Sequence, residues 1–285
     1  MKYNVIKDIQ AVKTLLNLSN TELANYLNVA RSTINRIVNG KVQPTSLFLE
    51  SFYSFAYHNP IRNLRLNNLK VQFVLDKYDT ILFHGAKNNI VGSVDLSHSR
   101  KEIDVGVGFY LGETYTQAVS YIFLNRDSSV YLFDTKELSS LKTKEFNVSF
   151  EWMIMVCYYR NQIDRFKENK IVKDIIKEVE EADVIIAPIA DNNMFEIMNQ
   201  FARGDITELQ AMSALSASNL GKQHVLKSIR ACNSIKMIDR LYICKEERED
   251  IGKEQQVLTN IAYDKSKLAI EQFRHQGKYI EEILK

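Results

Sequence analysis

Five of the ten glycines fall between residues 85 and 112, at Gly85, Gly92, Gly106, Gly108 and Gly112. Glycine lets main chain come close to whatever it faces, so a cluster in a chain otherwise poor in glycine marks an approach of backbone to a ligand. His84, Asp104, Tyr110 and Tyr121 lie in or beside this block and supply polar and aromatic contacts. Two phosphate-binding patterns are excluded. Gly106-x-Gly108 lacks a third glycine at the needed spacing and reads into a strand, so it is not a dinucleotide fingerprint, and no Gly-Lys-Ser/Thr makes a Walker loop. No His, Cys and acid spacing recommends a metal site. Cys157, Cys232 and Cys244 form no Cys-x-x-Cys pair, and their odd number gives no disulfide framework, which fits buried thiols in a reducing compartment.

A second group of residues suits a polyanion. Residues 1–66 carry Lys2, Lys7, Lys13, Arg31, Arg36, Lys41, Arg62 and Arg65 against Asp8, Glu22 and Glu50, while the whole chain has a net charge of only +2. A basic end on a near-neutral body places any polyanionic partner at the N-terminus. Apolar spacing at Ile6, Ile9, Val12, Leu15 and Leu16 predicts a first helix. Ser19 and Glu22 give a capping box for a second, with Leu23, Ala24 and Leu27 as its stripe. Asn28-Val29 makes a tight turn, Ala30–Val38 a third helix ended by Asn39-Gly40, and Pro44-Thr45-Ser46 opens a fourth. The segment TELANYLNVARSTINRIVNGK resembles the helix-turn-helix of phage-repressor-like domains, over roughly residues 1–60. That resemblance implies DNA binding by Ala30, Arg31, Ser32, Thr33, Asn35 and Arg36 at the start of the recognition helix. One such domain reads a half-site, so a homodimer is expected; the other reading is a small helical bundle for protein docking.

The rest of the chain mixes short β-rich runs with helices, an α+β pattern. Strands are expected over Ile81–Phe83, Val107–Leu111, Val130–Phe133, Val184–Ile189 and Met237–Cys244. Helices are expected over Thr116–Leu124, Phe150–Asn161, Ile171–Glu180, Met194–Phe201 and Thr207–Ala217. The domain plan is a helix-turn-helix domain over 1–60, a short polar linker or the edge of the next domain over 61–70, an α+β domain over 71–245 and a charged C-terminal helix over 246–285, broken near Gly277. The 285 residues are 45% apolar and 25% charged, the balance of a soluble globular protein. Residues 1–10 are polar, and the longest apolar stretches fall short of the ~20 residues of a membrane span. A cytoplasmic protein with no membrane partner is expected.

The stretch LFHGAKNNIVGSVDLSHSRKEIDVGVGFYLGETYTQAVSYI, residues 82–122, is similar to a bacterial family of uncharacterised domains in the ADP-ribosyltransferase group. The matching parts are the strand ending in His84-Gly85, the run from Asp104 to Leu111, and a helix opening at Thr116-Gln117-Ala118. VIIAPIADNNMFEIM at 184–198 and GKQHVLKSI at 221–229 extend the likeness. It implies a split β-sheet fold that bends NAD, the substrate, into a cleft. By the same resemblance His84 would bond the adenosine ribose and Gly85 would grip the nicotinamide carboxamide through its backbone. Tyr110 and Tyr121, with the spacing of the diphtheria-toxin-like branch, would flank the nicotinamide ring. Gln223 stands where members of that branch often carry Glu; it can bond a ribose hydroxyl but cannot act as a base, and its neighbour His224 is a rival for the position.

Each of these residues also has a structural reading. His84 suits a strand end, Tyr110 and Tyr121 suit a core, Asp104 suits a loop-shaping role, and Asp191 suits an N-cap for the helix at Met194. The expected function is an NAD-dependent ADP-ribosyltransferase, as a toxin or phage-defence effector, acting on nucleic acid or protein and answered by an antitoxin. The alternative is a transcriptional regulator whose larger domain senses NAD without catalysis.

Overall fold

Apolar spacing, caps and turn residues build the elements in a computed structural model that describes residues 2–99, 101–126, 128–217 and 221–285. The fold is α+β, and the chain divides into two compact units. The first comprises Met1–Val91, Thr114–Asp134 and Met237–Lys253; the second comprises Gly92–Glu113, Thr135–Lys236 and Glu254–Lys285.

The first unit opens with four helices, α1 (Val5–Leu16), α2 (Asn20–Tyr26), α3 (Arg31–Val38) and α4 (Ser46–Tyr57). Ser19 caps α2, accepting from the Glu22 amide at 3.2 Å while the Glu22 carboxylate accepts from the Ser19 amide at 2.8 Å. Thr45 caps α4. Asn28 takes the left-handed conformation (φ 52°) that the turn between α2 and α3 requires. Ile9, Val12, Leu23, Ala24, Ile34, Ile37 and Phe52 face one another and form the core of the bundle. Residues 61–70, expected as a short polar linker or the edge of the next domain, run into a fifth helix, α5 (Leu66–Leu75). Its apolar positions are diluted by Asn, Lys and Gln, yet Leu66 joins the core of the bundle while Val71 and Val74 join the cluster that holds Phe83 and Leu132.

Three strands complete this unit: β1 (Ile81–Ala86), β3 (Ser129–Asp134) and β7 (Lys236–Tyr242), with β1 antiparallel to β3 and His84 opposite Tyr131. Helix α6 (Tyr115–Ile122) packs on β1 and β3. The helical bundle is tied to β7 by polar and aromatic contacts. Lys70 bridges Asp8 at 2.9 Å and Asp239 at 3.3 Å. Tyr53 stacks on Tyr242, whose hydroxyl donates to Glu50 at 2.7 Å. The Arg240 guanidinium lies 3.9 Å from the centre of the Tyr3 ring.

The second unit holds β2 (Phe109–Gly112), β4 (Thr143–Glu145), β5 (Val184–Pro188) and β6 (Lys222–Leu226) in the order β4-β5-β6-β2. The β4–β5 pair is parallel; β5–β6 and β6–β2 are antiparallel. Around these strands lie α7 (Phe150–Tyr159), α8 (Lys170–Glu180), α9 (Asn192–Arg203) and α10 (Glu208–Ser216), together with a short helix, α11 (Ile229–Asn233). Ser149, Asn169, Asp191, Thr207 and Ser228 supply their N-caps. The core gathers Trp152, Met153, Val156, Val172, Ile185, Met198, Phe201 and Val225. A long helix, α12 (Lys245–Gln272), follows β7; Gly277 then turns the chain at φ 87° into α13 (Ile280–Ile283), whose Ile280 is buried.

One acid in the first unit, Glu247, is only 2% exposed. Glu247 accepts from the Tyr115 hydroxyl at 2.7 Å and from Asn67 Nδ2 at 2.8 Å. Burial lifts its pKa from 4.5 to about 7, and the two hydrogen bonds and the Arg65 charge only partly oppose that. The folded chain therefore keeps a proton that the unfolded chain loses between these values, so stability falls as pH rises through this window and is level above it. The expected loss is on the order of 3 kcal/mol. Urea unfolding at pH 5 and pH 7.5 should show this fall in the wild type and a smaller one in Glu247→Gln; equal falls would show that Glu247 is not its source.

Candidate functional site

The helix-turn-helix presents its recognition helix through a specific packing contact. Ile34 and Ile37 are buried, which turns Arg31, Ser32 and Arg36 outward, while Thr33 and Asn35 are half-buried. Asn20 Nδ2 donates to Asn35 Oδ1 at 2.7 Å, clamping the start of α2 to α3. The six residues expected at DNA thus divide. Ala30, Arg31, Ser32 and Arg36 are exposed, whereas the carboxamide oxygen of Asn35 is committed to holding the two helices in register.

In the second unit the loop at Asp104–Gly106 is held from several sides. Asp104 is only 4% exposed. Its Oδ1 accepts from Arg160 Nε at 2.9 Å and from a terminal guanidinium nitrogen of the same residue. Its Oδ2 accepts from Gln223 Nε2 at 3.1 Å and from the Ala190 amide at 3.4 Å. Arg160 follows the last turn of α7 and stacks over Phe195 at 4.4 Å. Gln223 sits on β6 opposite Gly112 of β2 and Ala187 of β5, and its Nε2 also donates to the Pro188 carbonyl at 3.3 Å. With both amide hydrogens directed at oxygen acceptors, the orientation of the carboxamide is fixed. Its Oε1 takes no hydrogen bond among the described residues.

The same loop absorbs Tyr110. The Tyr110 hydroxyl donates to the Gly106 carbonyl at 2.7 Å and accepts from the Val105 amide at 3.1 Å. Burial, and then the nearby Asp104 charge, hold this phenol well above its ordinary pKa. Lys227 donates its ammonium to the Val105 carbonyl and lies over the Tyr159 ring, and burial lowers its pKa to about 8. Tyr110 and Gln223, expected as site residues, are therefore brought together on one loop.

His84, Gly85 and Tyr121 belong to the first unit. His84 is a half-buried residue of β1, and Tyr121 on α6 is 55% exposed with the Lys87 ammonium 5.4 Å from its ring centre. Gly85 is explained by packing: a Cβ there would collide with the Ala118 carbonyl of α6. Gly106, at φ 67°, faces the Tyr159 ring, and Gly108 faces Val225. These three glycines admit other parts of the protein, so the cluster is not in itself the mark of a ligand. His224 points away from Gln223 along β6 and pairs with Glu113 at 3.3 Å. Asp191 caps α9 through the Met194 amide at 2.8 Å, and its other oxygen, Oδ2, is buried without a hydrogen-bond partner among the described residues. Arg160, Lys227 and Tyr159 were not picked out from the sequence. The only available signal was Arg160 at the end of an apolar helix. No group of residues suited to a metal occurs among the described residues, and no helix among them is long and apolar enough to cross a membrane.

The geometry defines a helix-turn-helix DNA-binding domain followed by an α+β domain organised around a buried carboxylate. Residues 9–51 match the helix-turn-helix family, in agreement with α1–α4. Residues 80–237 match the family described as "Protein of unknown function (DUF3990)", and the chain belongs to it. No curated protein and no solved structure matches the chain significantly.

A carboxylate at position 223 would stand beside Asp104, and one of the two would hold a proton far above the carboxylate range. Gln223→Glu should therefore be less stable than the wild type at pH 8, by about 1–3 kcal/mol. The raised folded-state pKa means that stability is lost as pH rises, so the gap should close at pH 5. Thermal melting at the two pH values measures it, and a gap of equal size at both would contradict the assignment.

Proposed function

We propose that the chain is an NAD-dependent ADP-ribosyltransferase carried on a DNA-binding domain. The observation that supports this most is the Gln223 carboxamide, locked by Asp104 and Pro188 with its oxygen left to accept a hydrogen bond. An oxygen in that state suits a ribose hydroxyl, and the partnerless Oδ2 of Asp191 is a second acceptor in the same unit. In the reaction the bond between ribose C1′ and the nicotinamide nitrogen breaks, and nicotinamide leaves with the electron pair. A nucleophile on the acceptor bonds to C1′ and releases its proton to solvent. Gln223 carries no charge, so its contribution is orientation: a fixed acceptor on the ribose hydroxyl holds C1′ for attack. The resemblance adds His84 and Gly85 for the adenosine ribose and the carboxamide, with Tyr110 and Tyr121 beside the ring.

The neutral residue at 223 favours a second reading, in which the domain binds NAD and reports its presence through DNA affinity without cleaving it.

The purified chain, incubated with NAD labelled in the ADP-ribose moiety and with DNA, RNA or cell protein, should release nicotinamide and label one acceptor. Gln223→Ala should lower the rate about a hundredfold. NAD that stays intact while shifting operator affinity would establish the sensor instead. NAD that neither turns over nor raises the melting temperature would sink both readings.

For the DNA-binding domain, Arg31→Ala and Arg36→Ala should each weaken operator binding about tenfold, as the loss of one base or phosphate contact does. Asn35→Ala should lower the melting temperature as well, because it also breaks the clamp to Asn20. Fluorescence anisotropy at two salt concentrations, beside a melting curve, separates these effects. Unchanged affinity in both arginine variants would move the DNA surface elsewhere.

A further inference from the structure

The two sides of α12 differ. One side seats on the second unit: Ala262 and Ser266 are buried, Ser266 donates to the Ala214 carbonyl at 3.1 Å, and Gln210 donates to the Ile270 carbonyl at 2.9 Å. Another side is apolar and uncovered. Val257, Ile261 and Leu268 lie within about 40° of one another around a helix of 3.6 residues per turn, and Leu258 flanks them. All four are exposed, Leu268 to 66%. Val257, Leu258 and Ile261 form one exposed apolar group, with Leu268 two turns on beyond Asp264 and Lys265, and such a group in water marks an interaction surface.

The charges on this face say what covers it. Glu254 stands one turn before Leu258, and Lys265 one turn after Ile261. The series Glu254, Leu258, Ile261, Lys265 has intervals of four, three and four, so it reads alike from either end except that one end is acidic and the other basic. Elsewhere on this helix Lys245 pairs with Glu249 and Lys253 with Asp250. Glu254 and Lys265 have no ion-pair partner among the described residues. Laid antiparallel about a two-fold axis between Leu258 and Ile261, two such helices set Leu258 of each on Ile261 of the other. The same pairing sets Glu254 of each on Lys265 of the other. A parallel pairing would oppose like charges at both ends. An anionic membrane would meet Asp250 and Glu254 on the same flank, which disfavours it as the occupant.

We infer that this face of α12 is the interface between two copies of this chain, joined as an antiparallel two-helix seam. A closed two-fold pair carries two recognition helices, which is what a palindromic DNA site requires.

Sedimentation velocity of the full chain over about 1–100 μM should show a monomer–dimer equilibrium, since this range spans dissociation constants of ordinary transient dimers. Ile261→Asp should raise the dissociation constant about tenfold or more. Glu254→Lys, at an exposed residue with no ion pair among the described residues, should melt as the wild type does and should also weaken the dimer. Adding Lys265→Glu to it should restore association, because the pairs are then reversed and not removed. The inference is overturned by a wild type that stays monomeric over this range, including one whose stripe binds phosphatidylglycerol vesicles or a different protein. A dimer indifferent to Ile261→Asp, or a double reversal that fails to restore association, also overturns it.

Discussion

A carboxylate taken out of water must be answered by donors on every side, and Asp104 is the place where the second unit meets that demand. Its four hydrogen bonds come from the end of α7, from β6 and from the chain after β5. Elements far apart in sequence are thereby fixed to one loop. The neighbouring Val105 and Gly106 then have their backbone groups taken up by Tyr110 and Lys227. The charge itself is matched by Arg160, so the Gln223 carboxamide is oriented without having to neutralise anything. This division of labour explains how an amide can occupy a position where a carboxylate would have been repelled.

The first unit is bound by a different device. The helical bundle has an apolar core of its own, but its outward polar groups find partners on β7 and at the start of α12. Asp8 and Asp239 share Lys70, Glu50 accepts from the Tyr242 hydroxyl and the Lys245 amide, and Tyr57 donates to Asp250. Cys244 lies in the same apolar cluster as Phe52 and Tyr53. The DNA-reading helices are thus set on a strand and a helix, with α5 filling the stretch after Asn59-Pro60.

Much of this was legible in the sequence where the signal is local. The box at Ser19–Glu22, the turn at Asn28 and the stop at Asn39-Gly40 announce themselves within a few residues, and the helices form where they predict. The strand at Thr143–Glu145 was illegible, because three polar residues carry no apolar alternation and are held by pairing with β5. Asp104 was legible as a shaper of its loop, but Arg160 was not, since the contact joins residues 56 apart. The glycine block misled in a specific way. Glycine reports close approach and not what approaches, and at Gly85, Gly106 and Gly108 the answer is Ala118, Tyr159 and Val225.

The tie between the bundle and β7 also sets an order of events during synthesis. Tyr3, Glu50 and Tyr53 emerge from the ribosome first, yet their partners Arg240, Tyr242 and Lys245 emerge only after most of the second unit. The nascent bundle can bury its own apolar residues early, but it waits with an unpaired polar and aromatic flank until the far end of the chain arrives. A polypeptide interrupted before residue 237 would carry a recognition helix on an unfinished base.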